Sequence, residues 1–485
     1  MKSTRAQTLQ QIHVLLGPVG EAPTGEAEDA AVYRLEQDMY ESRLVRLCPV
    51  EKWHKGSYTT GCPRPILVTK HHQEQLDRLH DALVRAIVDI VQRWWSDSAA
   101  QFPRRMPLPR EEEELLQWIE TQVPHNLPEF RHALGSWRPD FLVADAAQGG
   151  PYPSGEIFCL TEINARFSFN GFMHGAYGQQ AFDELGVEER GWRGDANASK
   201  TLDGLCSLFR PDRPLHLLKG AEAGIDIHMF VDFLERRFGR RPRIIAPEDL
   251  RLVPDNEAPL GYKLCCLAPP SPSSPSDCNA LISFGGETLE EVHQVGLELH
   301  QHELFGLPRD VLRAVALRCF NDLRTVLLVH DKRMLGLVRD ELDSMVARHE
   351  YLLKPIRGGK GAGIMFGDEL SASEWMAYLR QLEDAGEIVP GRPIWIVQRQ
   401  VKQRSYDAVF GSPAKLVRRP LVGTYLVVHG ELLGFGVWRV GLGRICAVSN
   451  GGGWICSVVQ EDADESGSSS GDSEHGGVVD QPRLT

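Results

Sequence analysis

The apolar positions of this chain change period as it is read from one end to the other. Within HHQEQLDRLHDALVRAIVDIVQRWW, Leu76, Leu79, Leu83, Ile87 and Ile90 recur every three or four residues, the stripe of an amphipathic helix. EEEELLQWIETQV carries acids in its first turn and predicts a second helix. Residues 31–135 therefore read as mainly helical, behind a polar Gly-, Pro- and Glu-bearing stretch over 1–30 that reads as a loose start. SWRPDFLVADA and GEIFCLTEINA are then short strands split by a Gly/Pro loop at 149–155, which predicts that they pair. Over 200–310, LHLLK and RIIAP read as strands around the helix IDIHMFVDFLERRF. A further helix is expected over ETLEEVHQVGLELHQHEL, and a Pro/Ser loop, APPSPSSPSD, is inserted at 268–277. This alternation suggests parallel βαβ pairing with right-handed crossovers. From 311 onward the chain reads as a helix around 332–347, strand YLLKPI, a glycine loop, helix SASEWMAYLRQL and strand IWIVQRQV. A hairpin, LVGTYLVVHGELLGFGVWRV, turns at His429-Gly430, and strand ICAVSN precedes Gly451–Gly453.

A chain of 485 residues has room for two or three domains with real cores. Its net charge of −13, with no dense basic stripe to offset it, argues against nucleic acid as a partner. About half of that excess lies in residues 460–485, where EDADESGSSSGDSEHGG cannot bury enough apolar surface to fold and is expected to be a disordered acidic tail. The ten cysteines include no CxxC pair or dense framework, which speaks against a zinc site and a disulfide scaffold; Cys265-Cys266 reads as packing. His300 and His302 are two apart, whereas a two-histidine helical metal site needs a spacing of three or four. No apolar run is long enough to span a membrane, and the N-terminus lacks a sufficient apolar core for a signal peptide, so a cytoplasmic protein with no membrane partner is expected.

Two segments carry candidate chemistry. In YLLKPIRGGKGAGIMF a strand ends near Lys354 and runs into Gly358, Gly359, Lys360, Gly361 and Gly363; such a loop frees backbone amides to cradle phosphate while the lysine neutralises it. It is neither a P-loop nor a GxGxxG, and taken alone it also fits an ordinary tight strand-to-turn transition. In FCLTEINARFSFNG, the period of two sets Glu162 and Asn164 on one face, an oxygen pair suited to Mg²⁺, although E-x-N alone also fits a strand end. Asp140, on the partner strand, is placed to sit across from Glu162, and Arg138 shares its face. The strand end Gln398–Val401 can offer backbone groups to an adenine edge or be a plain polar exit. Arg439, taken as the end of the second strand of the late hairpin, can face developing negative charge or solvent.

In order, R-x-D, E-x-N-A, a helix-start lysine, K-P-x-x-G-x-x-G-A-x-I, a glutamine at a strand end, and G-T-Y-x-V-x-x-G-x-x-x-G-x-G-x-x-R resemble the glutathionylspermidine synthase family. The elements are Arg138/Asp140, Glu162/Asn164, Lys332, Lys354–Ile364, Gln398 and Gly423–Arg439, together covering roughly 130–458. The metal strand precedes the lysine strand, so the resemblance is to that family's circularly permuted ATP-grasp synthetase domain. It implies an α/β (α+β) ATP-grasp fold with a helical N-terminal region (1–135), metal-bearing strands (136–199), a Rossmann-like α/β subdomain (200–310) and ATP-binding lobes (311–459).

The resemblance further implies Asp140, Glu162 and Asn164 as Mg²⁺ ligands and Lys332 and Lys354 as ATP-phosphate lysines. Gly358, Gly359, Lys360 and Gly361 would form the phosphate loop, with Gln398 and Val401 beside the base. Arg138 and Arg439 would be catalytic, facing carboxylate or phosphate. Three departures stand out: Gly359-Lys360 replaces the family's Arg-Glu, Arg166-Phe167-Ser168-Phe169 replaces an acidic residue with Thr/Pro, and no amidase-like cysteine domain stands before the synthetase part. Glutathione and spermidine therefore do not follow as substrates. The expected activity is ATP- and Mg²⁺-dependent ligation of a small carboxylic acid to an amine, an amino acid or peptide among the candidates, through an acyl phosphate. A small-molecule kinase or an inactive nucleotide-binding scaffold would use the same motifs.

Overall fold

The computed structural model describes residues 8–146, 155–269, 281–338, 351–357, 361–383, 394–411, 414–448 and 451–460. The expected phosphate-loop residues Gly358, Gly359 and Lys360, most of the Pro/Ser insertion and the acidic tail lie outside the described residues. Of the stretch expected to be a loose start, the described part is ordered from residue 8 onward. Leu9, Ile12, Val14 and Leu15 are buried, and β1 (Gln10–Gln11) pairs with β2 (Gly61–Leu67). The buried Gln11 amide donates to the carbonyls of Arg64 and Val409 and accepts from Val409 N–H. Helix Ala27–Leu47 packs against β2; in helix Lys70–Gln92, Leu76, Leu83, Ile87 and Ile90 form the buried stripe, and helix Arg110–Gln122 buries Leu115, Leu116 and Ile119.

Strands β3 (Ser136–Asp145) and β4 (Glu156–Asn164) form the expected antiparallel pair, with Asp140 opposite Glu162 and Arg138 opposite Asn164. A bulge interrupts the register just after the Asp140–Glu162 pair, and Thr161 occupies the extra position. β5 (Trp192–Gly194) is a short edge piece. β6 (His216–Lys219) and β7 (Arg243–Ile245) pair in parallel across helix Ile227–Phe238, as the βαβ pattern suggests.

The helix expected over ETLEEVHQVGLELHQHEL is not there. β8 (Leu250–Pro254), β9 (Tyr262–Leu267), β10 (Leu281–Phe284) and β11 (Glu287–Glu291) form an antiparallel sheet, β12 (Val295–Glu298) pairs in parallel with β6, and only Gln301–Leu304 is helical. Leu289, Val292 and Val295 have helical spacing because a short connection, pinned by Gln294 to the backbone of Arg210, separates two strands. Cys265 and Cys266 are both buried on β9.

The next lobe holds β13 (Tyr351–Pro355), flanked by β14 (Met365–Phe366) and β15 (Trp395–Arg399), with helix Ala372–Glu383 packed on it. Of the helix expected around 332–347, Met334–Val338 is described. A hairpin that the sequence pattern does not announce, β16 (Ser405–Phe410) with β17 (Lys415–Pro420), leads back toward the first sheet. There β18 (Val422–Val428) pairs with β3 and turns at His429-Gly430, both at positive φ, into β19 (Glu431–Phe435).

Arg439 is not on that second strand. It lies on β20 (Trp438–Val440), a separate strand begun where Gly436 N–H bonds Thr424 O and Thr424 Oγ1 bonds Val437 O. Ile445–Val448 of the expected strand ICAVSN is irregular; β21 (Gly453–Gln460) closes the sheet instead. The resulting nine-stranded sheet runs β1-β2-β21-β20-β18-β3-β4, with β19 on β18 and β5 on β21. Its strands come from both ends of the chain, so the expected boundary at 135 falls inside one sheet.

One face of this sheet carries an aromatic cluster in which Phe141 packs on Phe158 at 4.5 Å and edge-on to Trp438 at 5.4 Å. Elsewhere a chain of 2.8 Å hydrogen bonds, Ser57–His174–Asp226, ties the starts of two helices beneath Trp53 and Trp454. A Cβ on Gly423 would lie 2.3 Å from Phe141 and 2.7 Å from Trp438, rings with no room to retreat. Gly423→Ala is expected to cost about 1–3 kcal/mol by overpacking, read as a lower urea midpoint, and an unchanged midpoint would contradict this packing.

Candidate active site

The β3–β4 register decides where the acids meet. With Asp140 opposite Glu162, two carboxylates stand side by side on the sheet face that opens into a cleft. Because Thr161 is the bulged residue, its hydroxyl bonds Asp140 O at 3.1 Å and its own carbonyl accepts from Lys354 Nζ at 3.0 Å. Lys354, on β13, also lies 3.2 Å from Glu162 Oε2, and Lys332 reaches the same oxygen at 3.7 Å. Burial alone would raise the Glu162 carboxyl. Lys354, Lys332 and then Arg439 more than reverse that and hold it well below its ordinary 4.5. Burial lowers the Lys332 ammonium, and Glu162 opposes the shift.

Lys332 follows a π-helical turn, Thr325–Val329, in which His330 N–H reaches back to Thr325 O at 3.1 Å. That wide turn is followed by half-buried His330, which accepts from Ala165 N–H and whose imidazole is pushed well below its ordinary value by desolvation and by the Arg166 and Lys332 charges. Nothing in TVLLVHDKR announces the π turn in sequence.

Asp140 is held by two arginines. Arg138 Nε bonds it at 3.0 Å and Arg439 Nη2 at 2.5 Å, while Arg439 Nε is buried with no hydrogen-bond partner. Arg138 also donates to the carbonyl and side chain of Asn170, both at 3.0 Å. Asn164 donates to Arg138 O at 3.4 Å; the two lie next to the acids on the same sheet face, outside the residues lining the cleft.

The cleft itself is lined by Asp140, Glu162, Lys332, Lys354, Gly361, Gln398, Arg399, Gln400, Val401 and Arg439. Apolar side chains of Leu142, Leu352, Ile364 and Val422 complete it. Gln398 lies on β15 opposite Leu352, and Val401 just past that strand's end. Gly361 and Gly363 both have φ of 75°, and a Cβ on Gly361 would stand 2.2 Å from Ile445, so glycine is required there. The structure thus brings together Asp140, Glu162, Lys332, Lys354, Gly361, Gln398, Val401 and Arg439 around the cleft, with Arg138 and Asn164 beside the acids outside its lining.

Sequence reasoning did not single out Thr161, Asn170, Arg357 and Glu112, or Asp331 and Arg333. Arg357 grips buried Glu112 with both Nη atoms, and Arg333 grips Asp331 from Nε at 3.0 Å and Nη2 at 2.8 Å. Arg357 and Glu112 lie too far apart in sequence for their pairing to leave a local signal. Away from the cleft, His216, Cys266 and Glu290 form a buried group whose ligand-type atoms lie within 4.8 Å of one another, but Glu290 already accepts from Arg243 and His216.

The AnkG N-terminal domain family matches residues 79–328. An ATP-grasp enzyme, ankG, from Aspergillus thermomutatus is 31% identical over 469 residues, spanning 88% of this chain and 94% of that relative. This chain belongs to the AnkG family. A glutathione synthetase-like effector (GSS30) from Globodera pallida, solved in apo form, aligns at a TM-score of 0.47 and 11% identity over 88% of this chain and 96% of that one. The AnkG-family match includes Asp140, Glu162 and Asn164 and ends shortly before Lys332.

A depressed carboxyl stabilises the fold above its unfolded value and loses that contribution as pH falls toward its folded value. Glu162→Gln, which leaves Lys332 and Lys354 facing each other, is expected to lower stability at neutral pH by on the order of 2–4 kcal/mol, toward the low end of a broken buried pair because the carboxylate is partly exposed. The gap between the two urea midpoints should narrow progressively below the ordinary carboxyl value of 4.5. A gap independent of pH would mean that Glu162 is not held ionised by the lysines.

Proposed function

We propose that this AnkG-family chain is an ATP- and Mg²⁺-dependent carboxylate–amine ligase that forms an amide through an acyl phosphate, on a circularly permuted ATP-grasp fold. The observation that carries this reading is Glu162, set between Lys354 and Lys332 on the floor of a cleft whose rim is a polar strand end. Ligand-free, Glu162 neutralises two lysines. When phosphates arrive, the lysines have better partners and the carboxylate is released for a metal. The donor set of two carboxylates and an amide fits Mg²⁺, a hard cation that prefers oxygen. Asp140, Glu162 and Asn164 would hold it. When bound, it would neutralise charge on the phosphates.

In this reading, Lys332 and Lys354 orient the β- and γ-phosphates, joined by amides of the glycine loop. Gln398–Val401 meets the adenine edge, and Leu352, Ile364 and Val422 cover its faces. The acid's carboxylate oxygen attacks the γ-phosphorus and ADP leaves; an amine then attacks the acyl carbon, phosphate leaves and the amine nitrogen loses a proton. Arg439, whose Nε has no hydrogen-bond partner in the ligand-free protein, stabilises the charge that builds on the transferring phosphoryl group. Arg138 fixes Asp140 and the Asn170 turn behind it. The name of the ankG relative as an ATP-grasp enzyme supports ATP use. No described phosphate or metal position has been lost, which weighs against an inactive scaffold.

Calorimetry of ATP with and without Mg²⁺ tests the reading on wild type and Glu162→Ala. Mg²⁺-dependent binding that is lost in the variant is expected, and absence of binding to the wild type at millimolar ATP overturns it. Lys354→Ala should reduce acid-dependent ADP release, with hydroxylamine as the amine, by at least about 100-fold. A rate within a few-fold of wild type would remove Lys354 from the phosphate site.

A further inference from the structure

Arg166 is the departure from the resembling family that the reading above leaves unused. It stands two residues beyond Asn164, where the chain leaves β4, and it is 7% exposed. Its Nε and Nη2 are buried with no hydrogen-bond partner. Leaving a buried guanidinium unpaired is among the costliest arrangements a side chain can adopt.

The acids that act on Arg166 are Glu112 and Asp331, and Arg357 adds to its positive surroundings. Both acids are already forked by other arginines: Glu112 by the two Nη atoms of Arg357, Asp331 by Nε and Nη2 of Arg333. Arg166 also contributes to the positive field at Lys332 and His330. It is therefore a fixed planar donor beside the reaction centre, surrounded by protein groups that do not satisfy it.

We propose that Arg166 anchors a second carboxylate of the acid substrate, so that this enzyme takes polycarboxylic acids and activates one carboxyl while Arg166 holds another. This rests on the ligase reading. A guanidinium matches a carboxylate with two parallel hydrogen bonds, which a lysine cannot reproduce. The γ-phosphate of ATP is the other oxyanion that could reach this region. Lys332 and Lys354 line the cleft assigned to the phosphates, whereas Arg166 is not among its lining residues. In this proposal the Arg166 ligand is therefore the substrate's second carboxylate and not the nucleotide.

The test uses the full chain, Arg166→Met and Arg166→Lys, with Mg²⁺, ATP and hydroxylamine. The acids are succinate, malate, aspartate, glutamate and citrate, set against propionate, butyrate and alanine. Expected is turnover with at least one polycarboxylate and none with its monocarboxylate counterpart. In Arg166→Met the KM for that acid should rise about 10- to 100-fold, with a smaller change in kcat, and Arg166→Lys should recover part of it. ATP affinity by calorimetry should be unchanged in both. The ligand-free melting temperature of Arg166→Met should equal or exceed that of wild type, because the guanidinium it removes has no protein partner.

Equal use of mono- and polycarboxylates, or no panel acid that separates wild type from Arg166→Met, overturns the proposal. Loss of ATP binding in Arg166→Met overturns it by assigning the guanidinium to the γ-phosphate, and a lower melting temperature in both variants overturns it in favour of a packing role. Failure of the ligase reading shows separately, as wild-type protein that does not bind ATP with Mg²⁺.

Discussion

One carboxylate oxygen ties the large sheet to the two lysines that face its cleft. Glu162 Oε2 lies within 4 Å of both Lys332 and Lys354, which arrive from a π-helical turn and from a strand in a different sheet. Remove that negative charge and two ammonium groups confront each other in a partly buried place, where the medium screens them less than water would. The lobe carrying β13 is thus drawn to the large sheet by an attraction that phosphate can replace but a neutral side chain cannot. The neighbouring Asp140, gripped by Arg138 and Arg439, repeats the arrangement on the adjacent strand. Cations outnumber anions around both acids, so the region is electrostatically prepared for polyanions before any ligand binds.

Much of this was legible in the sequence, and the reason is local. SWRPDFLVADA and GEIFCLTEINA alternate and are split by turn residues, so antiparallel pairing follows from pattern, and Asp140 falls near Glu162 once they pair. His429-Gly430 announces its turn because both residues tolerate positive φ. What was not legible depends on contacts from elsewhere in the chain. A two-residue strand such as Gln10–Gln11 has no period to detect, and it exists because Gln11 bonds the carbonyls of Arg64 and Val409. The spacing of Leu289, Val292 and Val295 mimicked a helix because a connection between two strands happened to preserve it. Arg439 was assigned to the wrong strand since the break at Gly436 depends on Thr424 across the ladder. Arg166 was visible as an unusual residue, yet that Glu112 and Asp331 are already taken is a tertiary fact.

Membership of the AnkG family and the site geometry address different questions. The family match covers 79–328, which contains the acids and the loop carrying Arg166 but stops before both lysines. The residues expected to touch phosphate therefore come mostly from outside that segment, and the segment itself holds the strand turn where substrate discrimination would be set. Among the described residues no helix is long and apolar enough to cross a membrane.

The placement of β21 bears on how the protein is made. This last strand lies inside the large sheet, parallel to β2 with Trp454 beside Gly61, and antiparallel to β20 on its other side. Until Gly453–Gln460 has left the ribosome, β1 and β2 have no neighbour joining them to the rest of the sheet, and β2 and β20 both present bare edges. Such edges invite pairing with the wrong chain. Contacts spanning most of the sequence also close slowly, since the entropy of a very large loop must be overcome before they form. Docking of β21 is thus the step that joins β1 and β2 to the rest of the sheet and covers both bare edges at once.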